Sequence, residues 1–180
     1  MTNCFIKSCK NKSTIMLSYI NRGYCDKHFM ELIEKRVRKE LRVNKIIDVK
    51  KKYNILADNS KEFLISKYIL NSIFGRALKL EVVNEIKSKN TIVPTNMDRE
   101  INSMFDAFLK NKSIPQKIGI TILDNVLDEE LMHIAKILNI KNATQEDRLA
   151  LIEEVNSKHL IKFSLKKSLN HVREMENGKN

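Results

Sequence analysis

The spacing of apolar positions changes several times along the chain, and each change marks an element. From Phe29 to about Ile47 no glycine or proline interrupts the run. Phe29, Leu32, Ile33, Val37 and Leu41 recur there at the three- and four-residue intervals of one buried helix face. Ahead of this helix, Ile15 to Ile20 is β-prone and leads into the turn signal Asn21-Arg22-Gly23, the pattern of a hairpin. Beyond it, strand-like runs near 54–57, 79–83, 91–94 and 117–122 alternate with helical patterns near 60–75, 97–111 and 127–139. Leu131, Ile134, Ala135 and Leu138 define the last of these helices and leave His133 as a single polar or half-buried position. Alternating strands and helices predict an α/β body with a mainly parallel sheet and right-handed crossovers. A helical tail follows from about 145 to 173, and there is no internal repeat or low-complexity linker. The expected organisation is a hairpin module at 1–28, a helix at 29–47, a small α/β domain at 48–142 and a helical basic region at 143–180.

Composition narrows the class. The 180 residues are 42% hydrophobic and 31% charged, and no apolar run reaches the roughly 18 residues of a membrane span. The beginning of the sequence lacks the apolar stretch of a secretory signal, so a cytoplasmic protein without a membrane partner is expected. Net charge is +11, and residues 1–52 carry +9 of it, with 14 lysines and arginines against five acids. A basic terminal module on a near-neutral body points to a polyanionic partner, with nucleic acid first among these. The competing explanation is a lysine-rich composition without a ligand.

All three cysteines lie in the first 25 residues. Cys4 and Cys9 form a Cys-x4-Cys pair, and Cys25 and His28 a Cys-x2-His pair after fifteen intervening residues. Two close ligand pairs on either side of a hairpin-sized spacer suit a closed tetrahedral zinc site, and a Cys3His set leaves no open position for chemistry. On this reading Zn2+ is structural. The competing readings are unligated thiols and an iron–sulfur cluster, the latter disfavoured by the paired spacing and the histidine. An odd thiol count argues against a disulfide framework.

The helix after the ligands carries a stripe of charge. Lys35, Arg38, Arg42 and Lys45 fall opposite its apolar face, with Lys39 near the edge. Together with Arg36 these are the candidate RNA-binding residues, since such a stripe can track phosphates by counterion release. A solvated surface helix is the competing reading, because Glu31 and Glu34 lie within helical reach of Lys35 and Arg38.

The ordered series of Cys-x4-Cys, "CDKHF" from Cys25 and "EKRVRKELR" from Glu34 resembles the N-terminal zinc finger and linking helix of the TtuA/TtcA-type tRNA 2-thiolation enzymes. The archaeal and eukaryotic cytoplasmic branch is the nearest. Fragments in the same order extend the resemblance to about residue 172. "YNILADNSKEFLISKYILNSIFG" occupies the place of that family's ATP-binding loop, and "NTIVPTNMDREINSMFDAFLKNK" that of its later His-x-x-Asp-Asp-type motif. "KIGITILDNVLDEELMHIAKILNI" is similar to the next strand and helix, and "LIEEVNSKHLIKFSLKKSLNHV" to the helical region after it. The resemblance implies a PP-loop, Rossmann-like sheet, a Ser-Gly-Gly-Lys-Asp-Ser loop for ATP, and cysteines that deliver sulfur, often around an iron–sulfur cluster.

This sequence departs from each chemical part of that pattern. The phosphate loop reads Ala57-Asp58-Asn59-Ser60-Lys61-Glu62-Phe63, without the glycines that let backbone amides close on a pyrophosphate. Asp58, Asn59, Ser60 and Lys61 are what remains of a nucleotide loop, and Ser60 reads equally well as an ordinary helix N-cap. No cysteine follows Cys25. Asp98 keeps one acid of the third motif while Arg99 replaces its neighbour, and a second zinc ribbon and a long middle segment are missing. A degenerate, truncated relative is therefore expected, without catalytic residues and without ATP. It would bind tRNA or another RNA, or a full-length thiolase paralogue. The competing functions are a free-standing zinc-containing nucleic-acid-binding protein and a divergent ATP-dependent tRNA-modifying enzyme.

Overall fold

The hairpin module forms first along the chain. In the computed structural model, which describes residues 3–86, 88–141, 160–176 and 178, β1 (Ile15–Leu17) and β2 (Arg22–Tyr24) pair antiparallel, with Leu17 opposite Arg22. The β-prone run ends at Leu17 because the chain turns there. The amides of Ile20 and Asn21 donate to the carbonyls of Leu17 and Ser18, and Asn21 takes a left-handed φ of +49°. Asparagine tolerates that region better than most residues.

Helix α1 (Asp26–Val43) begins three residues before the expected start and ends four residues short of Ile47. Its end is a local stop. Lys45 adopts φ +48° and the amide of Ile46 turns back to donate to Leu41 O, a pattern that satisfies the last-turn carbonyls. Phe29, Met30, Ile33, Val37 and Leu41 form the buried face, as the periodicity predicts, with half-buried Leu32 beside it.

A three-stranded, all-parallel sheet follows, made of β3 (Lys52–Leu56), β4 (Lys79–Val83) and β5 (Thr91–Ile92) in the order β4-β3-β5. Helices α2 (Lys61–Phe74), α3 (Met97–Leu109), α4 (Asp128–Ile137) and α5 (Leu160–Glu176) complete the described elements. The α/β class and the parallel sheet are as expected. Two strands are not. The run near 91–94 stops at Ile92, since Pro94 offers no amide to extend a ladder. The run near 117–122 contributes two isolated parallel bridges, Ile92 with Ile120 and Asn96 with Leu123. Gly119 interrupts it at φ +78°, where a Cβ would stand 2.5 Å from Thr91 O, so the backbone passes too close there for any side chain. The expected tail from 145 is described only from Leu160, and the part before it lies outside the described residues.

The hairpin and the body share one core. Leu17, Tyr24 and Phe29 pack in the same buried cluster as Ile55, Ile65, Ile69, Leu131 and Ile134. A second cluster joins Met97, Ile101 and Met104 of α3 to Ile114, Leu127 and, from α5, Leu169. Each large side chain removed from water in these clusters contributes about 1.5–3 kcal/mol. His133, the isolated polar position of α4, meets the hairpin module directly. Its Nε2 lies 3.0 Å from Asp26 Oδ1, and its ring stands edge-on to Phe29 at 5.1 Å. No described helix is long and apolar enough to cross a membrane.

Candidate functional site

The hairpin brings its four predicted ligands to one point. Cys4 and Cys9 sit on the turn that precedes β1, where the amide of Cys9 donates to Ile6 O. Cys25 is the N-cap of α1, and His28 lies in that helix's first turn. The four ligand atoms all lie within 4.8 Å of one another. Cys9 Sγ and Cys25 Sγ are 3.8 Å apart, and His28 Nδ1 is 3.4 Å from Cys4 Sγ and 3.3 Å from Cys25 Sγ.

A tetrahedral ion with bonds of about 2.3 Å to sulfur holds its sulfurs about 3.8 Å apart, with sulfur–nitrogen edges slightly shorter. The three edges of 3.3–3.8 Å are compatible with one metal ion held by this set. Burial acts to raise the thiol pKa of both Cys4 and Cys25. Backbone hydrogen bonds at Cys25 and Ile6 for Cys4, and at His28 for Cys25, together with side-chain hydrogen bonds within the cluster, outweigh it and hold both thiols below the ordinary range. Cys9 stands above it. Its backbone bond to Asn11 lowers the value, but burial and the neighbouring Cys25 and Cys4 together raise it more. Such thiols ionise most readily when a cation shares the site.

The basic stripe divides in two. Lys35, Arg38, Lys39, Arg42 and Lys45 are exposed, Lys45 beyond the helix end. The acids of α1 turn elsewhere: Glu34 accepts from Ser72 Oγ, and Glu40 from the side-chain amides of Asn44 and Asn125. Arg36 departs from the expected set. Its guanidinium donates to both carboxylate oxygens of Glu130, at 2.9 and 2.8 Å, to Asn125 O at 3.0 Å and to the Tyr19 hydroxyl. Tyr19 in turn donates to Glu130 at 2.7 Å, and the Glu130 side chain is fully buried. Burial acts to lower the Arg36 pKa, but Glu130 raises it above the ordinary value; burial, with Glu130 adding, raises that of Tyr19. Arg36 thus bolts α1 to α4 and faces away from solvent phosphates.

A mutation separates the two roles. Arg36→Met leaves Glu130 buried without its counter-charge, so it is expected to cost about 3–5 kcal/mol, while Arg36→Met with Glu130→Met recovers most of that loss. Urea unfolding of both variants measures it. Equal destabilisation by the single and double changes would show that the ion pair does not carry the effect.

The nucleotide loop occupies the place where open parallel sheets bind ligands. The chain runs from β3 to β4 on one side and then returns to β5 on the other, so the strand order reverses between β3 and β5. Ligand crevices lie outside the carboxyl ends of strands at such a reversal. Here the loop consumes its own amides. Asp58 Oδ1 accepts from the amide and hydroxyl of Ser60, Ser60 Oγ accepts from the Phe63 amide at 3.1 Å, and Asn59 holds φ +57°. Ser60 is the N-cap of α2, as its alternative reading has it.

Behind the loop, charged side chains fill the crevice. Lys61 Nζ lies 2.8 Å from Asp128 Oδ1 and 3.1 Å from Glu62 Oε1, and all three residues are at most 6% exposed. Burial lowers the Lys61 pKa, but the hydrogen bond to Asp128 and the charge of Glu62 raise it above the ordinary lysine value. Asn96 donates to both Glu62 and Asp128, and Asp98 accepts from the Asp128 amide at 2.6 Å. Lys162 of α5, itself buried, pairs with Asp98, and Arg99 stands 3.8 Å from Glu62. Glu62 lies in the loop that the sequence marks as degenerate, whereas Asn96, Asp128 and Lys162 were not singled out. Nothing local distinguishes those three, because their meeting with Glu62 depends on the first turns of α2, α3, α4 and α5 converging. A further buried set, Lys166 with Glu100 and Asp124 and Arg173 with Glu100, ties α5 to α3.

The site and sheet define a small parallel α/β body with an N-terminal Cys/His cluster that could hold a metal ion, and comparison with solved structures agrees on the fold. The chain is similar to the U34-tRNA thiolase NcsA from Methanococcus maripaludis, determined with its [4Fe-4S] cluster. The TM-score is 0.70 at 12% identity, over 97% of this chain and 89% of that one. At that identity the likeness shows the fold. No family model matches the sequence, and no curated protein does.

Proposed function

We propose that the protein is a non-catalytic member of the tRNA-thiolation group that binds tRNA through its exposed basic helix, with a structural Zn2+ on Cys4, Cys9, Cys25 and His28. The observation that carries this reading is the filled crevice. Where a nucleotide would lie, Lys61 and Lys162 pair with Glu62, Asp98 and Asp128 in a buried network that the Asn96 amide bridges. Opening it for a polyphosphate would separate several buried ion pairs and bring anions against Glu62 and Asp128, an electrostatic cost no glycine amides offset. The second support is chemical. Sulfur delivery needs a free thiolate, and the three cysteines of the chain converge on one metal-sized point.

RNA as partner rests on the solved thiolase of the same fold and on the stripe of Lys35, Arg38, Lys39, Arg42 and Lys45. In this role the protein delivers or holds tRNA for a full-length thiolase paralogue and does no chemistry itself. Calorimetric titration with ATP and magnesium is expected to give no heat of binding, and an assay with a sulfur donor no 2-thiouridine. Micromolar ATP affinity, or thiolation by this protein alone, would overturn the reading.

A further inference from the structure

We propose that β4 is the contact strand of a symmetric dimer, in which two copies of this chain join their sheets antiparallel about Leu80. β4 is an edge strand: among the described residues it pairs only with β3. Its backbone direction follows from one bond. Ala57 N donates to Val83 O at 2.8 Å, so Val83 turns its polar groups toward β3. Backbone groups alternate along a strand, so Glu81 and Lys79 also face β3, while Leu78, Leu80 and Val82 turn theirs outward.

Edges of this kind are usually blunted by a bulge, a proline, charged side chains or a covering element; Lys79–Val83 contains neither bulge nor proline, and its two charges, Lys79 and Glu81, are of opposite sign. Beside it lies apolar surface. Val82 is 48% exposed, and Leu64 and Tyr68 of α2 are 41% and 42% exposed. Tyr68, Leu70, Leu78 and Leu80 line a groove of about 430 Å³ between α2 and β4.

The occupant is chosen by register. Two copies related by a two-fold axis can match outward amides in several ways, and centring on Lys79 sets two lysines directly opposite each other, which is repulsive. Centring on Glu81 sets the two Glu81 carboxylates directly opposite each other, which is repulsive. Centring on Val82 pairs Glu81 with an apolar Val83. Centring on Leu80 places Lys79 of each copy opposite Glu81 of the other, giving two ion pairs on one face. It also sets Leu80 against Leu80 and Leu78 against Val82 on the other face. Glu81 already meets Lys52 at 2.7 Å, and Lys79 of the second copy would join that exposed pair. The strand is thus complementary to itself in charge and in apolar pattern at one register.

Analytical ultracentrifugation of the full chain at increasing concentration tests this, with twice the chain mass as the expected limit. Glu81→Lys sets lysine against lysine and should weaken the dimer roughly tenfold or more; Lys79→Glu with Glu81→Lys restores the complementarity and should restore the dimer. Val82→Pro removes an outward amide at a position 48% exposed, so it should give a folded monomer by circular dichroism. A wild-type chain that stays monomeric at every concentration would overturn the proposal. So would a Glu81→Lys dimer as tight as wild type, or a double variant no tighter than the single. None of these readouts involves RNA, so the proposed function can fail without it.

Discussion

Stripping the metal is expected to dismantle more than the finger. Structural zinc in small modules contributes apparent free energies of about 10–16 kcal/mol, comparable with the whole stability of a domain. Without an ion, Cys4, Cys9 and Cys25 crowd sulfurs around one point with nothing to hold them. The loss does not stay local, because Leu17, Tyr24 and Phe29 are buried in the core shared with the sheet. Chelator treatment, or Cys25→Ala, should therefore lower the Tm by about 20 °C or more, given about 2–4 °C per kcal/mol for a chain of this size. The ligands must be deprotonated to bind, so metal and stability should be lost together as pH falls. Elemental analysis of the native protein should find about one zinc per chain. Full metal occupancy in the Cys25→Ala variant would remove it from the ligand set, and iron in place of zinc would refute the proposed ion.

Reversing the stripe should abolish RNA binding without unfolding the protein. Lys35, Arg38, Arg42 and Lys45 are all exposed, so changing all four to glutamate disturbs no packing. It does take the net charge from +11 to +3, with the whole change on one face. If four phosphates are neutralised, log affinity for duplex RNA regions should fall with log salt at a slope of about −3 to −4, and the variant should lose that dependence. Filter binding or fluorescence anisotropy with tRNA measures both. An unchanged affinity in the folded variant would make the stripe a solvated face. Arg36 is the internal control, since its partner is Glu130 and its loss should appear in stability before it appears in binding.

Local information was enough for the finger and the helix that follows. Cys4 with Cys9, and Cys25 with His28, are ligand pairs closed by a few residues of chain, so their spacing already dictates the geometry that brings four donors within 4.8 Å. The apolar face of α1 was legible for the same reason, as helical periodicity is a property of neighbours. The α/β alternation located β3, β4, α2, α3 and α4 to within a few residues. It misjudged 117–122, where an apolar run looks like a strand until Gly119 passes close under Thr91.

Tertiary structure decided what the charges do. Arg36 and Lys39 read alike along the sequence, yet one is clamped to Glu130, 94 residues away, and the other stands in solvent. Lys61 looked like the remnant of a phosphate-binding residue until Asp128 and Glu62 closed on it. Asp98 looked like a surviving motif acid until Lys162 reached it from α5. An ion pair depends on distance in space, and for partners far apart in sequence that distance is set by strand order and helix packing. The sequence by itself determined the Cys/His cluster, the basic helix and the class of fold. Only the folded chain determined which cations remain exposed and that the crevice at the end of the sheet is filled by its own side chains.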